Sequence, residues 1–124
     1  MGLYRWATSM RDTNPSFMNG VPELLVLRLI RDREMYGYEL VQAIRDRSSD
    51  TISIGEGVVY PVLHALEHDG ALSSRRKNVN GRSRVYYTLT AAGLRRLDEL
   101  VDTWARLTDA VRTVLAGAPH AEPV

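Results

Sequence analysis

Apolar residues in this chain keep helical spacing in three stretches, alternate in two, and return to helical spacing near the end. Pro22 favours a helix start, and Leu24, Leu25, Leu27, Leu29 and Ile30 predict a broadly apolar central helix ending around Arg33. After the punctuating Gly37, the positions Tyr38, Leu40, Val41 and Ile44 predict a second amphipathic helix to about Arg47. Residues 48–54 read as a loop or short extended piece, in which Ile52 and Ile54 alternate with polar neighbours. Between Gly55 and Gly70, the three- and four-residue steps of Val59, Val62, Leu63 and Leu66 predict a third helix of about four turns. A proline sits most easily in a first turn, so Pro61 places that helix start near Gly57 and Tyr60 in the first turn.

Two strands are expected next, over residues 72–77 and 84–89, joined through Asn78-Val79-Asn80-Gly81 with its Asn-Gly turn signal. Thr90 is placed to cap a long final helix. Within it Leu97, Leu100, Trp104, Leu107, Val111 and Val114 step by three or four residues, a heptad seam that asks for a partner helix. The fold class predicted is mainly α with a small β-hairpin: a winged helix-turn-helix plus a long C-terminal dimerisation helix. Its expected parts are an N-terminal arm at 1–19, the winged domain at 20–90, the dimerisation helix at 91–116 and a disordered tail at 117–124. The arm places Leu3, Trp6, Ala7 and Met10 on one side of a short helix, a candidate docking element.

Charge changes the picture from architecture to partner. Residues 70–97 hold seven of the sixteen Lys and Arg, namely Arg75, Arg76, Lys77, Arg82, Arg84, Arg95 and Arg96, and none of the fifteen acids. The rest of the chain carries nine basic against fifteen acidic residues, so a formal net charge of +1 conceals a basic hairpin on an acidic body. Such a footprint fits a polyanion, duplex DNA above all. In that reading Arg75, Arg76, Lys77, Arg82 and Arg84 neutralise phosphates, while Tyr60 and Tyr38 hydrogen-bond them from two helices. Tyr60 has the alternative of packing inward beside Val59 and Val62. Base-reading side chains are scarce on the third helix: Glu56, His64 and His68, with Val58 for a thymine methyl. Selectivity is therefore expected to lean on groove shape and half-site spacing.

At 124 residues the chain is read as one folded domain, and the absence of cysteine removes disulfides and thiolate metal sites. No apolar run suits a signal peptide or a membrane span, so a cytoplasmic protein without membrane contact is expected. His64-Ala65-Leu66-Glu67-His68 matches the H-x-x-E-H pattern of inverzincin peptidases. Zinc would still need a third ligand, for which Glu99 is the candidate, and a substrate cleft. Histidines on a solvated face are the simpler reading. The chain is taken as a non-enzyme with no cofactor.

Five linked pieces carry a family resemblance: Glu23-Leu24-Leu25-Val26-Leu27, Tyr36-Gly37-Tyr38-Glu39-Leu40, Gly57-Val58-Val59-Tyr60-Pro61-Val62-Leu63, Leu66-Glu67-His68-Asp69-Gly70 and Tyr86-Tyr87-Thr88-Leu89-Thr90-Ala91-Ala92-Gly93. In that order and spacing the chain resembles the PadR-like winged-helix transcriptional regulators, in particular their short single-domain type. The resemblance implies a homodimer on a pseudo-palindromic operator, usually acting as a repressor. The helix from Gly57, carrying Val58, Tyr60, Pro61 and His64, would enter the major groove and the hairpin would follow the minor groove. It also implies a small aromatic or cationic effector stacked on Trp104 at the dimer interface; from the residues themselves, Asp102 or Asp109 would balance a cationic guest. Val58 departs from the small hydroxyl residue common there, which removes one phosphate or base contact. The alternative function is a winged-helix protein-interaction module that binds no DNA.

Overall fold

The computed structural model describes residues 20–117, and the expectations for the N-terminal arm and for the tail after Gly117 lie outside the described residues. The chain runs α1 (Val21–Asp32), α2 (Gly37–Arg47), α3 (Glu56–His68), β1 (Leu72–Val79), β2 (Arg82–Leu89) and α4 (Ala91–Ala116). The first three helices close around one apolar cluster, in which Val26, Leu27, Leu40, Val59, Leu63, Leu66 and Leu97 are fully buried. Pro22 occupies the first turn of α1, where its missing N–H has no helical partner to lose. The fold is the winged helix expected from the periodicity, with a long helix added at its C-terminal end.

Local details depart from the sequence reading in three places. The third helix begins at Glu56, with Gly55 as its cap, so Tyr60 and Pro61 lie in the second turn rather than the first. Pro61 therefore leaves the Gly57 carbonyl without its usual i+4 donor. Residues 52–54 form no strand: the Ser48 hydroxyl accepts the Ile52 N–H at 2.9 Å and folds the segment into a turn, while Ile54 still packs inward. The extended piece that does pair is Met35, whose N–H and C=O bond the Tyr87 backbone at 3.3 and 2.9 Å. Finally, the strands reach further than predicted. Val79 pairs with Arg82, and Asn80 and Gly81, both at positive φ (52° and 78°), form a two-residue turn of the primed type that suits twisted strands.

Thr90 joins the wing to the last helix. Its Oγ1 accepts the Gly93 N–H at 3.0 Å, and its own N–H donates to the Ala71 carbonyl at 3.1 Å. Its hydroxyl also lies 2.7 Å from the Gly70 carbonyl, so one residue ties α4 to the turn between α3 and β1. Thr90→Ala is expected to lower stability by about 1 kcal/mol, a helix-cap loss read from the urea midpoint at unchanged slope. Arg96 makes a second tie, donating from Nε to Glu23 at 2.5 Å and from its guanidinium to Asp69 at 3.4 Å.

Past Leu97 the final helix has little of its own domain to pack on beyond a shallow contact with α1. From Asp98 to Gly117 only Leu100 and Thr108 are even half-buried. A 26-residue helix is about 39 Å long, so most of it projects beyond the core. Among the described residues no helix is long and apolar enough to cross a membrane.

Candidate nucleic-acid interface

The third helix buries Val59, Leu63 and Leu66 and turns Glu56, Gly57, Pro61, His64, Ala65 and His68 to solvent. Among the described residues nothing covers that face. Val58 is half-buried against the core and presents only part of its surface.

Between this helix and the hairpin lies a concave groove of about 580 Å³, lined by Tyr36, Tyr38, Tyr60, His64, Arg76, Arg82, Ser83, Arg84, Val85 and Tyr87. Three arginines and, among the described residues, no Asp or Glu line it. Six residues expected on sequence grounds to meet DNA (Tyr38, Tyr60, His64, Arg76, Arg82 and Arg84) converge there. Arg84, directly opposite Lys77 in the strand pairing, lies over the Tyr36 ring at 4.4 Å, which holds the cation in place. Arg76 donates to the Ser83 hydroxyl at 3.2 Å, and Arg82, among the described residues, holds no ion pair. Tyr38 is half-exposed, and its hydroxyl accepts from Gln42 at 3.0 Å.

Tyr60 both packs inward and borders the groove. Its ring packs against the start of α2, so close that a Cβ on Gly37 would meet the phenol oxygen at 2.6 Å. That contact sets the approach of α2 to α3, and the same residue forms part of the groove wall. Tyr87, which also lines the groove, is 3% exposed; burial raises its phenol pKa, with Glu67 and Tyr60 adding to the effect.

The five hairpin cations do not act as one set. Side chains alternate along a strand, so Arg76 points to one face of β1 and Arg75 and Lys77 to the other, a face that Arg84 and Arg82 share as cross-strand neighbours of Lys77 and Val79. On that second face Glu34, at the α1–α2 connection, accepts from Lys77 through one carboxylate oxygen and from Arg75 at 3.4 Å through the other. The Lys77 hydrogen bond, reinforced by the charge of Arg75, holds the Glu34 carboxyl below its usual pKa. Lys77 is also capped by the Tyr86 ring at 4.4 Å. Sequence reasoning missed Glu34, Tyr36 and Tyr87 as parts of this surface. The Tyr-Gly-Tyr run around Gly37 carried a signal for Tyr36, whereas nothing local marks Glu34, which lies 43 residues from Lys77.

The H-x-x-E-H run does not assemble a metal site. The Glu67 carboxylate accepts from the Ser74 hydroxyl at 2.6 Å, and no cluster of three His, Asp or Glu suited to a metal occurs among the described residues.

Along α4 the seam residues separate. Leu97 is fully buried in its own domain and Leu100 is half-buried, while Trp104, Leu107 and Val111 are about half exposed and Val114 is 77% exposed. Trp104 shares a shallow apolar recess of about 110 Å³ with Val21, Leu24, Leu100 and Leu107. Asp102 and Asp109, the candidate counter-charges for a cationic guest, already pair with Arg106 at 3.4 Å and Arg112 at 3.0 Å.

Comparison with known proteins gives one consistent answer. Residues 26–99 match the model of the transcriptional regulator PadR-like family. The transcriptional regulator Rv3488 of Mycobacterium tuberculosis is 36% identical over 104 residues, covering 84% of this chain and 92% of that one. The crystal structure of a PadR family transcriptional regulator from Eggerthella lenta superimposes with a TM-score of 0.77 at 32% identity, over 95% of this chain and 99% of that one. A PadR-like regulator from Bacillus cereus gives a TM-score of 0.71 at 29% identity, over 83% and 99%.

Proposed function

The chain belongs to the PadR-like family of transcriptional regulators, DNA-binding proteins rather than enzymes, and from that premise we propose that it is a sequence-selective repressor acting as a homodimer on a pseudo-palindromic operator. The observation that carries the reading is the acid-free groove between the solvent-facing side of α3 and the hairpin, with Arg76, Arg82 and Arg84 on its wall. In this reading α3 enters the major groove, with His64 and Glu56 facing base edges, and the three arginines straddle the adjoining backbone. Tyr38, at the start of α2, and Tyr60, in the second turn of α3, donate to phosphates. Few base-reading groups on α3 leave groove width and half-site spacing to supply much of the selectivity.

The dimer part of the proposal is supported by the exposed apolar seam of Trp104, Leu107 and Val111, which a second copy of α4 would bury. Leu107→Asp is expected to shift the protein from dimer to monomer in sedimentation velocity, since it places a charge in the middle of that seam. A dimer of unchanged stability would reject the seam. A flat aromatic or cationic effector is proposed to stack on Trp104, with the second subunit completing the shallow recess.

Fluorescence anisotropy with the duplex upstream of the protein's own gene, titrated at several salt concentrations, tests the main claim. Affinity should fall steeply with salt and exceed that for a random duplex. Salt-insensitive binding to another protein and none to DNA would favour the interaction-module reading instead.

A further inference from the structure

Resting on the DNA-binding reading, we propose that Glu34 is a positioning residue that sets how strongly the hairpin grips the phosphate backbone, by keeping Lys77 and Arg75 engaged within the protein. Three observations lead there. The two carboxylate oxygens of Glu34 are divided between the two cations, one each. Glu34 and Lys77 are mostly covered, at 23% and 30% side-chain exposure, and the Tyr86 ring closes over the ammonium from another side. Arg76, on the other face of β1, and Arg82 and Arg84, beside Lys77 on β2, border the open groove and hold no carboxylate among the described residues.

The consequence follows from counterion release. Each cation that moves onto a phosphate steepens the dependence of log affinity on log salt by about 0.9. A cation already neutralised by a fixed carboxylate contributes little to that slope, and the carboxylate itself repels the approaching backbone. Glu34 thus lowers sequence-independent attraction while leaving the groove arginines in place. Since phosphate contacts carry no sequence information, this restrains binding to random DNA.

The experiment uses the full chain and a random-sequence duplex, with binding measured by anisotropy from low to moderate salt. Glu34→Gln keeps the shape and removes the charge, and should steepen the salt slope by between one and two. Adding Arg75→Gln and Lys77→Gln to that variant should return the slope to the parental value. An unchanged or shallower slope in Glu34→Gln overturns the proposal, as does a steepening that survives loss of both cations. Should Glu34→Gln fail to give a cooperative thermal transition, the parent protein still decides. There, Arg75→Gln with Lys77→Gln should cost less slope than Arg76→Gln with Arg82→Gln, and an equal or larger cost overturns the assignment. Failure of the parent protein to bind any duplex would instead remove the DNA-binding reading itself, so the two failures are distinct.

Discussion

Replacing Arg76, Arg82 and Arg84 together by glutamine is expected to reduce operator affinity on the order of 100-fold and to flatten the salt slope by nearly three. These cations converge on the groove beside α3, and among its lining residues no carboxylate offsets them. At on the order of 1 kcal/mol for each exposed phosphate contact, three contacts compound to roughly that factor. Glutamine retains much of each side chain's apolar body, so Arg84 keeps part of its packing on Tyr36 and the loss reports charge more than fold. Circular dichroism melts of the variant serve as the control. A triple variant with parental affinity and slope would mean that DNA lies elsewhere, or nowhere, on this protein.

The largest expected effect on stability comes from Gly93→Ala. Gly93 sits in the first turn of α4, pressed onto the turn that leads into the hairpin. A Cβ there would drive into the Ala71 carbonyl and reach Leu89 Cδ1 at 2.8 Å. The obstacle is backbone, which cannot rotate away as a side chain would, and that carbonyl also accepts the Thr90 N–H. We expect a loss of about 3 kcal/mol, near the upper end for overpacking, and a melting temperature roughly 10–20 °C lower. Gly57→Ala supplies the contrast. Nothing lies within 4 Å of a Cβ at Gly57, and removing a glycine from a helix should raise stability by up to about 1 kcal/mol. If the two substitutions shifted the transition alike, close backbone approach at Gly93 would not be the cause.

Much of the fold was legible because its signals are local. The burial of Leu27, Leu40, Val59, Leu63 and Leu66 follows from helical spacing, and the Asn80-Gly81 turn and the Thr90 cap follow from residue types at fixed offsets. What misled was also local. The rule that proline belongs in a first turn put the helix start one residue late, at Gly57 rather than Glu56, and so Tyr60 and Pro61 in the first turn instead of the second, because a helix packed on both α2 and β1 tolerates one lost hydrogen bond. Ile52 and Ile54 alternated like a strand and do pack inward, yet the Ser48 hydroxyl turns that segment and Met35 takes the place beside β2. The seam on α4 was read as uniform, whereas its first residue, Leu97, belongs entirely to its own domain.

The candidate site divides the same way. The chain by itself determined that a basic hairpin follows an amphipathic helix, and that acids are absent from residues 70–97, since charge and period are properties of neighbours in sequence. It could not determine which cations remain available. The alternation of β1 sends Arg76 to the groove and Arg75 and Lys77 to the opposite face, and only the packing of the α1–α2 connection brings Glu34 to meet them from 41 and 43 residues away. Ion pairing depends on distances through space, and those were settled when the helices closed on their core.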